Sequence, residues 1–271
     1  LHQLRHLSLV GTRVSDAGVA QLHGLSALRE LHLLGTSVTG AGVARLAQAL
    51  PECRVVAAHG EAVALLPLID SKRDAVRGGW AIKDQSLQSD GTRLAALDIP
   101  YWPPEEYLLE MTAERKSGRE CLNIGFVAGG HQGTVMIDGW SQTVNALCEI
   151  DGKLANSNET TCRTRGLSAG VPTQVGVSVL KSGIAVTLAG RPLVEWAGDF
   201  SRFPGPGVGL HLLSFDGVFK ISELRLTPVS GEGRIVNHGV EKWSRAITDL
   251  GPHRPEKSGE SVDYTWQAPV E

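Results

Sequence analysis

Five residues, Glu110, Asn123, Asp138, Trp140 and His211, supply two carboxylates, an amide, an indole and an imidazole. Strand alternation would bring them to one surface. Carboxylates and amides hold paired hydroxyls, and a flat indole face is an apolar plate for a sugar ring. The set therefore suits a saccharide. It also holds one candidate pair for hydrolysis, Glu110 and Asp138, since glycoside cleavage uses two carboxyls roughly 5–9 Å apart, one of them kept protonated. No further acid follows in Asp138-Gly139-Trp140-Ser141-Gln142. The reading is a non-catalytic binding module with carbohydrate as ligand. The alternatives are a hydrolase acting on an oligosaccharide, and a protein-interaction scaffold in which these residues are only the wet side of a sheet.

The elements that must position these groups are three short strands, expected over 107–113, 121–127 and 134–140. Each alternates with period two, as half-buried antiparallel strands do. Tyr107, Leu109, Met111, Leu122, Ile124, Phe126, Val135 and Ile137 take the core side. Glu110, Asn123, Asp138 and Trp140 take the other, and pairing in chain order would set these four on one open face. His211 joins them because Val208, Leu210 and Leu212 claim the core side of their strand.

Further short strand candidates run from 79 to 227 with Gly, Pro, Asn or Asp between them, including a hairpin at Ala189-Gly190. This count predicts an all-β jelly-roll sandwich over 76–228, with Val175, Val177, Val179, Ile184, Val186 and Leu188 in its core. Residues 1–57 behave differently. Leu4, Leu7, Leu9, Thr12, Val14, Ala17, Gly18, Val19 and Leu22 recur 24 residues later as Leu28, Leu31, Leu33, Thr36, Val38, Ala41, Gly42, Val43 and Leu46. Each unit predicts a strand (7–9, 31–33) and a helix (16–23, 40–49), and a third strand is expected at 54–57. The fold class is thus mixed: a short α/β solenoid followed by an all-β sandwich. Residues 58–75 are expected to be a linker. Residues 229–271 are expected to be a flexible tail, with a helix at 241–250 presenting Trp243, Ile247 and Leu250.

The pattern L-x-x-L-x-L-x-x-T-x-V resembles the leucine-rich repeat family, with Thr12 and Thr36 where that family usually has Asn or Cys. The resemblance implies a strand-lined face for a protein partner, here Arg5, His6, Ser8, Val10, Arg29, Glu30, His32 and Leu34. The stretches VRGGWAIKDQSLQSD, PPEEYLLEMTAER, NIGFVAGGHQGTVMIDGW and VTLAGRPLVEWAGDFSR resemble concanavalin A-like, laminin-G-like domains. Among these the chain is most similar to the 3-keto-disaccharide hydrolase family, grouped with family 16-like glycoside hydrolases and frequent in large planctomycete multidomain proteins. Family 16-type enzymes carry an E-x-D-x-x-E run on one strand, which this sequence lacks.

Asp151-Gly152-Lys153 and Asn156-Ser157-Asn158-Glu159 form a polar loop where related sandwiches place calcium, although no D-x-D-x-D pattern accompanies it. No cofactor is expected otherwise. Of the four cysteines, Cys148 and Cys162 could bridge, with free thiols as the alternative, and no C-x-x-C pair suggests zinc. His131 lies in a Gly-rich hairpin loop. A net charge of −3 gives no electrostatic signature for nucleic acid, and no apolar run approaches the ~20 residues of a membrane span. The absence of an initiator Met is read as a fragment of a longer protein, which leaves its compartment open.

Overall fold

The computed structural model describes residues 3–57 and 61–236. The expected helix at 241–250 lies outside them.

The first unit is a three-stranded parallel sheet, β1 (His6–Ser8), β2 (Glu30–His32) and β3 (Arg54–Val56). Its register pairs His6 with Glu30 and Glu30 with Arg54, so the 24-residue sequence period becomes the offset between neighbouring strands. The returns are α1 (Asp16–Val19), continued as one 3₁₀ turn, and α2 (Gly40–Ala49), capped where Thr39 Oγ1 accepts from Gly42 N–H. Val19, Leu28, Leu31, Leu33 and Leu46 pack between the strands and helices.

The remaining strands are β4 (Val63–Ala64), β5 (Ala75–Arg77), β6 (Trp80–Lys83), β7 (Ser86–Ser89), β8 (Ala95–Ile99), β9 (Tyr101–Trp102), β10 (Glu106–Gly118), β11 (Leu122–Ala128) and β12 (His131–Asp138). They continue with β13 (Val144–Leu147), β14 (Glu149–Ile150), β15 (Lys153–Leu154), β16 (Thr173–Leu180), β17 (Gly183–Leu188), β18 (Arg191–Trp196), β19 (Leu210–Ser214), β20 (Gly217–Ser230) and β21 (Arg234–Ile235). A short helix, α3 (Ser71–Asp74), precedes β5. Two sheets result. One has eight strands in the order β18-β17-β16-β10-β20-β7-β6, with β4 also on β20; the other has six in the order β13-β12-β11-β19-β8-β5.

Alternation drives their packing. Tyr107, Leu109, Met111, Val175, Val177, Val179, Ile184 and Val186 of the larger sheet meet Leu97, Ile99, Leu122, Ile124, Phe126, Val135, Ile137, Leu210 and Leu212 of the smaller in one core. The Tyr107 hydroxyl spans the layers, donating to Val127 O at 3.0 Å and accepting from Val127 N–H at 3.1 Å. The β11–β12 hairpin turns through Gly129 (φ 56°) and Gly130 (φ 82°), positive dihedrals that suit the twist of the strands it joins.

Three expectations are corrected here. The strand at 107–113 does not pair with that at 121–127: β10 lies between β16 and β20 in the larger sheet, while β11 pairs with β12 in the smaller. The chain crosses between layers at 119–121, between the end of β10 and the start of β11. The stretch 58–75 is not simply a linker, since β4 pairs with β20 and Leu65 and Ile69 enter the core. Nor does 229–271 start as a free tail, because β20 runs to Ser230 and β21 pairs with β9.

The repeats dock on the outer face of the larger sheet. Val10, Leu34 and Val56 bury against Leu108 and Leu180, and Gly11 backs onto Thr187. At the rim Arg54 Nη2 donates to both oxygens of Glu106 at 3.1 Å. Burial raises the Glu106 carboxyl, but Lys181 N–H, Ser230 Oγ and Arg54 outweigh it and hold the group below the usual range.

Candidate functional site

The outer face of the six-stranded sheet carries an unusual polar row. Leu97 and Ile99 of β8 enter the core, which leaves Asp98 on the outside; Leu210 and Leu212 do the same for His211 on β19. Antiparallel register sets Asp98 opposite His211, His211 opposite Gly125, and Gly125 opposite Thr134. Directly opposed residues have Cβ atoms about 4.5–5.5 Å apart, so these groups form one continuous line across four strands. Asn123 lies on the same face one step along β11, between Leu213 and Met136. Gly125 is the gap in the row: a Cβ there would overlap Cε1, Nδ1 and Nε2 of His211, so the imidazole occupies the space above the glycine.

These side chains are withdrawn from solvent. Asp98 is 3% exposed, His211 1% and Asn123 0%. Oδ1 of Asp98 is buried with no hydrogen-bond partner, which is costly for a polar atom. Burial, and then the neighbouring Asp74 carboxylate of α3, push the Asp98 carboxyl up to about 8. Burial pulls His211 down to about 4. Both groups are therefore uncharged near neutral pH, and they offer hydrogen bonds without bringing a charge. Asp74 is itself satisfied, by Asp70 N–H at 2.8 Å and by Arg73 Nε at 2.6 Å.

Of the five residues singled out in the sequence, the fold brings Asn123 and His211 together and separates the rest. Glu110 lies on the outer face of the other sheet, bonded by Arg225 Nε at 2.9 Å. Asp138 is not on an open surface. It is fully buried at the end of the sandwich, where Arg115 Nη2 donates to Oδ2 at 2.8 Å and the N–H groups of Gly166 and Leu167 each donate at 2.7 Å. Arg115 also stacks over Phe219 with 4.7 Å to the ring centroid. Asp138 is thus a staple between β10, β12 and the 164–167 loop. Trp140 is half-buried in a left-handed turn (φ 48°) and packs against the apolar cluster that includes Cys121, Met136 and Val144. The proposed hydrolytic pair fails on this geometry, because Glu110 and Asp138 belong to different sheets and both are already bonded.

The acids of the loop considered for calcium are paired with other side chains. Asp151 accepts from Arg202 Nε at 2.8 Å, and Glu159 accepts from Trp196 Nε1 at 2.6 Å and lies 3.0 Å from Arg202 Nη1. Arg202 thus pairs with both acids of this loop. Among the described residues no three His, Cys, Asp or Glu side chains converge on a metal position. Cys148 and Cys162 are unbridged. No helix among the described residues is long and apolar enough to cross a membrane.

The strand face expected to receive a protein partner is partly consumed. Val10 and Leu34 are buried under the sandwich, and His6, His32 and Arg54 surround the Glu30 carboxylate at 3.0–3.3 Å. A cleft of about 480 Å³ lies between His6, Ser8 and His32 on one side and Ser178, Leu180 and Trp196 on the other.

Sequence reasoning missed Asp98, Thr134 and Gly125. The signal was present in Ala95-Ala96-Leu97-Asp98-Ile99, a strand whose only polar residue falls on the non-core phase.

No family model matches the chain, and no curated protein matches it. Similar solved structures include the carbohydrate-binding module CBM66 from Bacillus subtilis, at 11% identity over 57% of this chain and 94% of that one, TM-score 0.44. The exoplasmic/lumenal domain of VIP36 in its Ca²⁺/Man3GlcNAc-bound form is similar at 10% identity over 58% of this chain and 83% of that one, TM-score 0.45. A Bacillus subtilis protein of unknown function with a galectin-like fold is similar at 11% identity over 56% and 87%, TM-score 0.43.

Proposed function

We propose that this chain is a non-catalytic carbohydrate-binding jelly roll whose ligand site is the row Asp98, His211, Gly125 and Thr134, with Asn123 beside it. The observation that carries the reading is the Asp98 carboxyl, buried with a bare Oδ1 among an imidazole, an amide and a hydroxyl. A hydroxyl-rich ligand would supply a partner for the bare Oδ1 of Asp98. Because the row is withdrawn from solvent, ligand entry must uncover it. Residues 1–57 are read as leucine-rich repeats that serve as a structural partner of the sandwich, with residues 76–228 as the body of the binding domain.

The experiment is calorimetric titration of the chain with neutral oligosaccharides, repeated on Asp98→Ala and Asn123→Ala. Binding that weakens at least tenfold in both variants supports the reading. Failure of maltotriose, cellotriose, xylotriose and mannotriose alike to bind, or equal binding by both variants, overturns it. Turnover of any of these sugars would restore the hydrolase alternative.

A further inference from the structure

Resting on that reading, we propose that Asp98 meets its ligand as a hydrogen-bond donor, through a protonated carboxyl, and that the site thereby selects an uncharged saccharide over a uronic acid or an amino sugar. The geometry begins with what surrounds the group. Across β19 stands His211; from α3 comes Asp74, with Arg73 bonded to it at 2.6 Å; on the flanking strand β5, Arg77 sits opposite Ala96 and is exposed. Burial and the Asp74 carboxylate are what act on the Asp98 carboxyl. The Arg73 guanidinium is committed to Asp74 through two contacts, Nε to Oδ1 and Nη2 to Oδ2 at 2.8 Å. A second carboxylate charge beside Asp74 would be both buried and repelled, so the uncharged acid is the stable form there.

An uncharged Asp98 has one O–H to give and one carbonyl oxygen to receive. Thr134, at the far end of the same row three strands from Asp98, has the same dual capacity through its hydroxyl. Such a row matches the alternating donors and acceptors of a sugar's hydroxyl edge. It is a poor host for an ion. A uronate would bring a second negative charge toward the Asp74 carboxylate, and an ammonium sugar would meet a neutral acid and a neutral imidazole. The upward displacement of the Asp98 titration to about 8 agrees with this and sets where the donor is lost.

The test uses the full chain, with the same neutral trisaccharides and with trigalacturonate and chitosan trimer as charged probes, titrated from pH 6 to 9.5. Wild type is expected to bind a neutral trisaccharide at pH 6 and to lose at least tenfold in affinity by pH 9.5, as Asp98 ionises. Asp98→Asn, which keeps an N–H donor at every pH, should bind within about threefold of wild type at pH 6 and show no such loss. Asp98→Ala should be weak throughout. Undiminished wild-type binding at pH 9.5, an equal alkaline loss in Asp98→Asn, or a preference for trigalacturonate or chitosan trimer overturns the donor assignment while leaving carbohydrate binding intact. Absence of binding to every probe at pH 6 overturns both readings. A ¹³C titration of the Asp98 carboxyl in the free chain reads the protonation directly, and a midpoint below 6 would sink the inference even if sugars bind.

Discussion

The imidazole of His211 lies directly over Gly125, in the volume that any side chain at that position would need. Gly125→Ala must then displace His211 or bend β11, and overpacking of this kind typically costs about 1–3 kcal/mol. Urea unfolding of the single variant should show that loss. The double variant with His211→Ala should recover part of it, because the two sites share one volume. Additive losses would mean that the ring has other room.

Stability should respond to pH through Asp98 in a direction opposite to that of most carboxylates. Its folded value near 8 lies above the ordinary 3.8, so the folded chain keeps a proton that the unfolded chain gives up. The contribution is complete below about pH 4 and declines as pH rises to about 8, at about 1.4 kcal/mol per unit crossed. Asp98→Asn should therefore gain on wild type by a few kcal/mol between pH 4 and 8. His211 acts at the other end: held near 4 instead of 6.5, it costs stability as pH falls from about 6.5 to 4. The acid arm should persist in Asp98→Asn and vanish in His211→Gln. Denaturant midpoints across the range check both.

The Arg115–Asp138 pair is sealed, with side chains 1% and 0% exposed. Removing one partner leaves a buried charge alone, at a cost of about 3–5 kcal/mol. Asp138→Ala and Arg115→Met should each lower the unfolding midpoint by that order, and the double variant should lose less than the sum.

Glu110 tests the division between the sheets. Glu110→Ala breaks an ion pair with the half-exposed Arg225, worth at most ~1 kcal/mol, and it should leave saccharide affinity unchanged within twofold. A tenfold loss would place the ligand on the opposite face.

Docking of the repeats can be weakened separately. Leu34→Asp buries a charge against Leu108 and Leu180 and should speed hydrogen exchange at those two residues, while exchange at Ile124 and Leu212 in the core stays slow.

Much of this architecture was legible because apolar period and strand phase are local properties. Alternation in β11, β12, β16 and β17 identified the core side of each strand, and the 24-residue period became the register of the parallel sheet. Which strands are neighbours is not local. Glu110 and Asn123 are in phase along the chain, yet the crossover at 119–121 sends them to different layers. Burial was equally hidden: Asp138 and Trp140 read as wet positions, but a left-handed turn and the 164–167 loop enclose them. Asp98 went unnoticed because a lone acid in a short apolar strand announces nothing until its neighbours across the sheet are known.

The seat of the repeats on the eight-stranded layer has a consequence for avidity. With that flank walled off by Val10, Leu34 and Val56, the proposed carbohydrate site would leave each copy a single gripping face. Tight attachment to a polysaccharide would then depend on displaying several copies side by side, in the manner of single-hooked fasteners along a seam.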